Sequence, residues 1–193
     1  LPLMKLFAET LATIVNGELT QMFSASGVID RTNYYQRIYA KTASLFEMTA
    51  LAASMVATED EDMRASMKSY GYEVGMAFQI VDDILDFTGE QSAVGKPIGS
   101  DLLNGLVTLP AIYFAEANPD DPDVLSLPEG GWKDTERVQR LVDNIRQSAA
   151  IQQAMEEARQ AISRALKSLG DAPPSAERES LEDLAKFIVD RKI

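Results

Sequence analysis

The sequence contains no cysteine and no histidine. Without cysteine there is no disulfide framework, no thiolate nucleophile and no cysteine-ligated zinc site. Without histidine, serine–histidine–aspartate catalysis, histidine general-base chemistry and histidine-ligated metals are excluded as well. Any chemistry of this chain must therefore use carboxylates, lysines, hydroxyls, amides and bound ions.

Basic residues are scarce: 18 Lys and Arg stand against 30 Asp and Glu, which gives a net charge of −12. This excess of negative charge argues against unspecific binding to nucleic acid and to anionic membrane surfaces. No apolar stretch approaches the roughly 20 residues that span a bilayer. No signal-peptide pattern is present either. We therefore expect no nucleic-acid partner, no stable membrane span and a cytoplasmic location.

The pattern of the sequence predicts an all-α fold, since apolar residues recur at helical spacing and no strand alternation is found. The chain has 193 residues and is 46% hydrophobic, enough for one domain, or part of a larger one, with a sizeable core. The acidic stretch from 118 to 134 is rich in Pro and Gly and predicts a surface loop. The predicted helices cover 3–23, 34–57, 58–87 (opened by a capping box at 58–61), 108–117, 134–147, 149–169 and 175–191.

The third helix carries three carboxylates, Asp82, Asp83 and Asp86, inside the apolar run "GMAFQIVDDILDFTGE" at 75–90. Its apolar faces predict that the helix is buried over its later turns. One narrow polar stripe remains on the helical wheel. The members of that stripe are Gly71, Gly75, Gln79, Asp82 and Asp86, with Asp83 beside it. Because glycines remove bulk while amide and carboxylate groups supply oxygen ligands, the stripe indicates one wall of a cavity.

These carboxylates stand at an unfavourable place. Each faces the negative end of the helix dipole, at a cost of about 0.3–1 kcal/mol, and Asp82 and Asp86 form a like-charge i,i+4 pair. A divalent cation resolves these costs, and oxygen ligands without His or Cys favour Mg²⁺. The alternative is that the aspartates face solvent at a helix end or pair with an arginine from elsewhere.

Two lysines are candidates for binding an anion. Lys96 lies in the Gly-rich loop "GKPIGSD", where the backbone can approach a ligand and the lysine supplies a positive charge. Lys41, followed by Thr42, stands in an otherwise apolar helical run. The alternatives are an ordinary turn for the loop and, for Lys41, a side chain that reaches out to solvent.

The motifs "FQIVDDILD", "GKPIGSDL" and "TLP", preceded by "KTASL", occur in this order and together resemble the trans-isoprenyl diphosphate synthases, especially the polyprenyl branch. The stretch "GELTQ" at 17–21 fits as well. The resemblance implies an all-α bundle around a central cavity. It implies Mg²⁺-assisted condensation of an allylic diphosphate with isopentenyl diphosphate, the released pyrophosphate serving as base.

Carried over to this sequence, the resemblance makes "DDILD" the second aspartate-rich motif. Asp82 would bind Mg²⁺ directly, and Asp83 and Asp86 directly or through water. The residues implied to hold the allylic diphosphate are Lys41, Thr42, Gln79 and Lys96. For Glu18 and Gln21, bracing of helices is the favoured interpretation.

The sequence also departs from the family pattern. The first aspartate-rich motif and the region that binds isopentenyl diphosphate are missing, and Leu106 stands where many relatives have lysine. We therefore expect residues 1–193 to be the C-terminal part of one prenyl synthase domain, cut before residue 1. Such a piece is expected to be inactive alone, and either to form a homodimer or larger oligomer or to be held by its missing half. The alternatives are a non-catalytic partner subunit and a plain helical interaction module.

Overall fold

The computed structural model describes residues 1–23, 27–89, 97–170 and 172–190, apart from the side chain of residue 23. Helices make up most of this part of the chain, and it contains no β-strand, which confirms the all-α prediction. The helices are α1 (Pro2–Phe23), α2 (Arg31–Ile38), α3 (Ser44–Ala57), α4 (Glu61–Thr88), α5 (Ser100–Leu103), α6 (Leu109–Ala117), α7 (Pro122–Ser126), α8 (Thr135–Gln147), α9 (Ala150–Ser168) and α10 (Ala176–Asp190). A π-helical segment, Tyr39–Ala43, joins α2 to α3.

Helix α4 begins differently from the prediction. The backbone N–H groups of Asp62 and Met63 donate to Oδ1 of Asp60 at 2.9 and 3.2 Å, so that Asp60 satisfies the first turn. Thr58 Oγ1 instead accepts from the N–H of Asp60, before the helix starts. The predicted capping box is therefore wrong by two residues: an aspartate caps this helix as readily as a threonine.

The acidic stretch predicted as a loop contains helix α7 and two 3₁₀ turns, Leu127–Glu129 and Gly131–Lys133. The carboxylate of Asp121 accepts from the N–H groups of Asp123 and Val124, and Pro122 occupies the first position of α7. Proline is favourable there because its missing N–H would have no partner in the helix anyway. Pro and Asp therefore start a short helix in this stretch.

The chain divides into two compact units, and α4 contributes to both. The first unit comprises Leu1–Phe23, Gln36–Gln79 and Glu157–Lys192. Helix α1 packs there against α3 and the π-helical segment. A Cβ added at Gly17 would lie 2.5 Å from Cβ of Ala40, so only glycine permits this approach. Helix α10 is fastened to α4 by Tyr70, whose hydroxyl donates to the carbonyl of Leu181 at 2.8 Å.

The second unit comprises Ser24–Tyr35 and Ile80–Glu156, together with Ile193. It contains the aspartate-bearing end of α4. Its core is formed by fully buried aliphatic and aromatic side chains, among them Ile84, Phe87, Leu102, Leu109, Ile112, Leu141, Val142 and Ile145. The aspartates thus extend from a helix whose neighbouring positions are anchored in a packed interior.

None of the described helices combines the length and the apolar character that crossing a lipid bilayer requires. Hydrophobic side chains are nevertheless exposed along α1. They recur at helical spacing and so form one row, which we call the α1 apolar row: Leu3, Met4, Phe7, Leu11, Val15, Leu19 and Met22.

Candidate functional site

The three aspartates of α4 have three different environments. Asp82 is exposed, Asp86 is half-buried and Asp83 is only 4% exposed. Successive residues of a helix point about 100° apart, so Asp82 and Asp83 necessarily face different sides. The structure therefore assigns Asp82 to an accessible face and Asp83 to the interior of the second unit.

Asp83 is bound by a tyrosine from another helix. The hydroxyl of Tyr34, on α2, donates to Oδ2 of Asp83 at 2.8 Å, and Tyr34 is only 1% exposed. A hydrogen bond to a charged acceptor is stronger than one between neutral groups. This contact compensates part of the cost of burying the carboxylate.

Asp86 fastens the chain segment that begins α5, through an arrangement that we call the Asp86 clasp. Its Oδ1 accepts from the backbone N–H and the hydroxyl of Ser100 at 3.1 and 2.7 Å, and its Oδ2 accepts from the N–H of Asp101 at 3.1 Å. The N–H of Gly99 donates to the carbonyl of Asp86 at 2.8 Å. Gly99 has φ +72°, and a Cβ there would collide with Val142, so the clasp requires glycine at this position.

Within the described part of the chain, no group of three or more Asp or Glu side chains stands close enough together to hold a metal ion. The described residues therefore contain no cage made of carboxylates alone. Mg²⁺ usually keeps several waters and takes one or two carboxylates together with substrate phosphates. The exposed Asp82 carries hard oxygen atoms of the kind that such an ion takes as ligands.

In the first unit, the structure brings two predicted residues together. The hydroxyl of Thr42 donates to Oε1 of Gln79 at 2.6 Å, and Gln79 is 3% exposed. Thr42 and the exposed Lys41 both belong to the π-helical segment. Such segments change the direction of side chains within a helix and are frequent at functional sites. Burial and the nearby Glu47 raise the pKa of Tyr39 in the same segment.

The glycines of the predicted stripe serve a different purpose from the one expected. A Cβ at Gly71 would lie 2.5 Å from the carbonyl oxygen of Phe46, and one at Gly75 would lie 2.6 Å from Cα of Ala43. Gly71 and Gly75 therefore allow close packing of α4 against α3 and the π-helical segment. Their interpretation as a cavity wall was wrong, because a helical wheel does not distinguish an open face from a tightly packed one.

Lys96, the remaining predicted site residue, lies outside the described residues. Glu18 is exposed on α1, and Gln21 is half-exposed there. Tyr34 is the residue that sequence reasoning missed. It stands 49 positions from Asp83, and a tyrosine at a helix start carries no signal of a distant partner.

The chain is similar in sequence and in structure to several known proteins. The heptaprenyl diphosphate synthase component 2 of Bacillus subtilis is 32% identical over 189 residues, which are 97% of this chain and 54% of that protein. The crystal structure of heptaprenyl diphosphate synthase from Staphylococcus aureus superposes with a TM-score of 0.92 at 30% identity, covering 100% of this chain and 60% of that one. A polyprenyl synthase from Caulobacter crescentus, complexed with calcium and isoprenyl diphosphate, gives 0.88 at 28% identity, covering 100% and 60%.

The all-helical fold, with its carboxylates at the end of α4, is thus that of the isoprenyl diphosphate synthases. Residues 1–145 match the family model described as polyprenyl synthetase. The chain belongs to this family. It spans between one half and two thirds of the length of the relatives named above.

Proposed function

We propose that this chain belongs to an enzyme that condenses an allylic diphosphate with isopentenyl diphosphate to form a longer polyprenyl diphosphate. The observation that carries this proposal is the exposed Asp82 at the end of α4, in a chain of the polyprenyl synthetase family. Two neighbouring features support it. Asp83 is held inside by Tyr34, and Asp86 holds the start of α5 at Ser100, four residues after Lys96 in the sequence.

The proposed cation is Mg²⁺. Asp82 would bind it directly, while Asp83 and Asp86 would contribute directly or through water. When bound, such an ion neutralises charge on a departing diphosphate. Since histidine is absent, the other groups that this chain offers to the reaction are carboxylates, lysines, arginines, hydroxyls and amides.

The proposed diphosphate ligands are Lys41, Thr42, Gln79 and Lys96. Lysine supplies a positive charge, and hydroxyl and amide groups supply hydrogen bonds of defined direction. The Thr42–Gln79 hydrogen bond supports this assignment, because it fixes the orientation of both side chains before any ligand arrives. After the allylic group has reacted, the released pyrophosphate is the proposed acceptor of the proton.

The direct test is an assay of the full-length protein that contains residues 1–193. Farnesyl diphosphate, labelled isopentenyl diphosphate and Mg²⁺ are supplied, and the extracted lipid is separated by chain length. Labelled polyprenyl product supports the proposal. If no product forms with any of the divalent cations tested one at a time, the proposal that this protein catalyses the reaction without a partner is rejected.

A second candidate function is that of a partner subunit in a two-component synthase, and one comparison favours it. The Bacillus relative is named as component 2 of heptaprenyl diphosphate synthase. Product formation that appears only after a second protein is added would support this reading. A purely structural subunit, in contrast, has no need of an exposed aspartate beside two fastened ones.

We also propose that the active form is a cytoplasmic homodimer, supported by the α1 apolar row. Exposed apolar surface of this kind favours association. Residues 1–193 alone are proposed to be inactive, since they contain one aspartate-rich motif instead of two. Sedimentation velocity of the full-length protein and of residues 1–193 measures the association state directly.

Replacement of Lys41 by alanine is expected to raise the KM for the allylic diphosphate about tenfold, or to lower kcat by a similar factor. The reason is the loss of one charge-assisted hydrogen bond to the diphosphate. Lys96→Ala is expected to act in the same direction. Steady-state kinetics of the full-length variants measures both effects.

Lys68→Ala is the matched control, because Lys68 pairs with Glu47 at 3.4 Å and stands outside the proposed ligand set. If Lys41→Ala behaves like this control, the lysine reaches into solvent and its assignment is wrong.

A further inference from the structure

Tyr34 occupies an unusual position for a tyrosine. Its ring and hydroxyl are 1% exposed, and its oxygen lies 2.8 Å from a carboxylate that is itself 4% exposed. Both partners belong to the second unit and lie on different helices, α2 and α4. The hydrogen bond therefore joins two helices, and its role depends on what these two helices hold in place.

The first turn of α2 is fixed from two directions. The carboxylate of Asp30 accepts from the N–H groups of Thr32 and Asn33, and its carbonyl accepts from the N–H of Tyr34 at 2.9 Å. Asp30 therefore caps the first turn of α2, the turn that contains Tyr34. The backbone of Tyr34 has little freedom as a result.

Arg31 connects the same turn to α6. Its guanidinium donates two hydrogen bonds to Glu116, at 3.1 and 2.5 Å, and its Cζ lies 4.4 Å from the centre of the Tyr113 ring. Hydrogen bonding to Glu116 raises the pKa of Arg31 above its ordinary value. A paired arginine that also stacks on an aromatic ring holds a defined geometry. Helices α2 and α6 are thereby joined at the level of Tyr34.

The hydroxyl of Tyr34 links this fixed turn of α2 to α4, because it donates to the carboxylate of Asp83. By holding the carboxylate of Asp83 inside, it adds to the packing of Val81 and Ile84 in setting the rotation of the helical turn that carries Asp82. Adjacent helix positions point about 100° apart, so a turn with Asp83 held inward presents Asp82 to the exterior. If Asp83 instead swung outward, Asp82 would turn away from its present direction.

We propose that Tyr34 is a positioning residue for cation binding, and that Asp83 serves as its anchor and not as a direct cation ligand. This inference rests on the proposed function, in which Asp82 binds the cation. It narrows the ligand set proposed above by giving the three aspartates separate roles: Asp82 binds, Asp83 orients, and Asp86 fastens the start of α5.

The test uses Tyr34→Phe, Asp83→Asn and the double variant in the full-length protein. Tyr70→Phe is the matched control, because it removes the hydroxyl of another buried tyrosine, which donates to the carbonyl of Leu181 in the first unit. Calorimetric titration with inorganic pyrophosphate, with and without MgCl₂, measures the affinity without any turnover. Thermal unfolding and the Mg²⁺ concentration for half-maximal activity complete the set.

Tyr34→Phe and Asp83→Asn are each expected to weaken Mg²⁺-dependent pyrophosphate binding about tenfold, because Asp82 loses its fixed direction. The double variant is expected to be no more than about threefold weaker than either single one, since both changes break the same contact. Tyr70→Phe is expected to bind like the wild type. The half-maximal Mg²⁺ concentration should rise in parallel with the loss of affinity.

Two outcomes contradict the inference while leaving the proposed function intact. If Asp83→Asn abolishes binding and Tyr34→Phe leaves it unchanged, Asp83 is a direct ligand. If both variants lower only the melting temperature, with binding and Mg²⁺ dependence unchanged, the pair is merely structural. A wild-type protein that binds no pyrophosphate with Mg²⁺ would reject the proposed function, and this inference with it.

Discussion

Asp82→Ala is expected to lower the turnover of the full-length enzyme by about 10³-fold or more. Removal of one group that stabilises developing charge at an active site typically costs a factor of 10² to 10³, and Asp82 is proposed to hold the ion that provides this stabilisation. Its exposed position on α4 means that the change should leave the fold intact. Single-turnover kinetics with an allylic diphosphate and labelled isopentenyl diphosphate measures the loss.

Asp62→Ala is the control, since Asp62 is also exposed on α4 but lies at the opposite end of the helix. Asp82→Asn keeps the size of the side chain and tests whether the charge matters. Near-normal turnover of Asp82→Ala would remove Asp82 from the site, and near-normal turnover of Asp82→Asn alone would show that its charge is not required. Loss of turnover with unchanged Mg²⁺-dependent pyrophosphate binding would give it a role other than cation binding.

A single added methyl group at Gly75 is expected to destabilise the protein by about 1–3 kcal/mol, as in other cases of overpacking. The new Cβ would lie 2.6 Å from Cα of Ala43 and 3.0 Å from Cβ of Phe46, so a backbone atom would have to move. Helix propensity alone predicts the opposite sign, a gain of about 1 kcal/mol for Gly→Ala inside a helix. The sign of the change in melting temperature therefore decides between packing and propensity.

Ala43 directly follows Thr42, so Gly75→Ala should also raise the KM for the allylic diphosphate. Gly130→Ala is the comparison. No atom lies within 4 Å of a Cβ at that position, and only its left-handed backbone, with φ +93°, opposes the change. Gly130→Ala should thus affect stability but not KM. A higher melting temperature for Gly75→Ala would show that α4 moves away easily from Ala43 and Phe46.

The sequence was sufficient to predict the helices whose apolar residues recur regularly, because periodicity depends only on local order along the chain. It failed where a choice between neighbouring polar residues was needed, as at the cap of α4, where Asp60 replaced Thr58. It also failed in the stretch from 118 to 134, where Pro and Asp start a helix as well as end one.

The candidate site was predictable to the extent that its residues share one helix or one motif. Thr42 and Gln79 proved to be hydrogen-bonded, although they stand 37 positions apart. The sequence could not show that Gly71 and Gly75 contact another helix, or that Tyr34 binds Asp83. Such contacts depend on how distant segments pack, and no local pattern encodes that arrangement.

The Asp86 clasp has a consequence for how the chain tolerates change in length. It joins the end of α4 to the start of α5, so that any change in length between these two points must still return the chain to Asp86. The entropic cost of closing a loop grows only with the logarithm of its length, and doubling the length adds about 0.6 kcal/mol. Insertions between the fixed ends should therefore be inexpensive, while changes at Asp86, Gly99 or Ser100 should not.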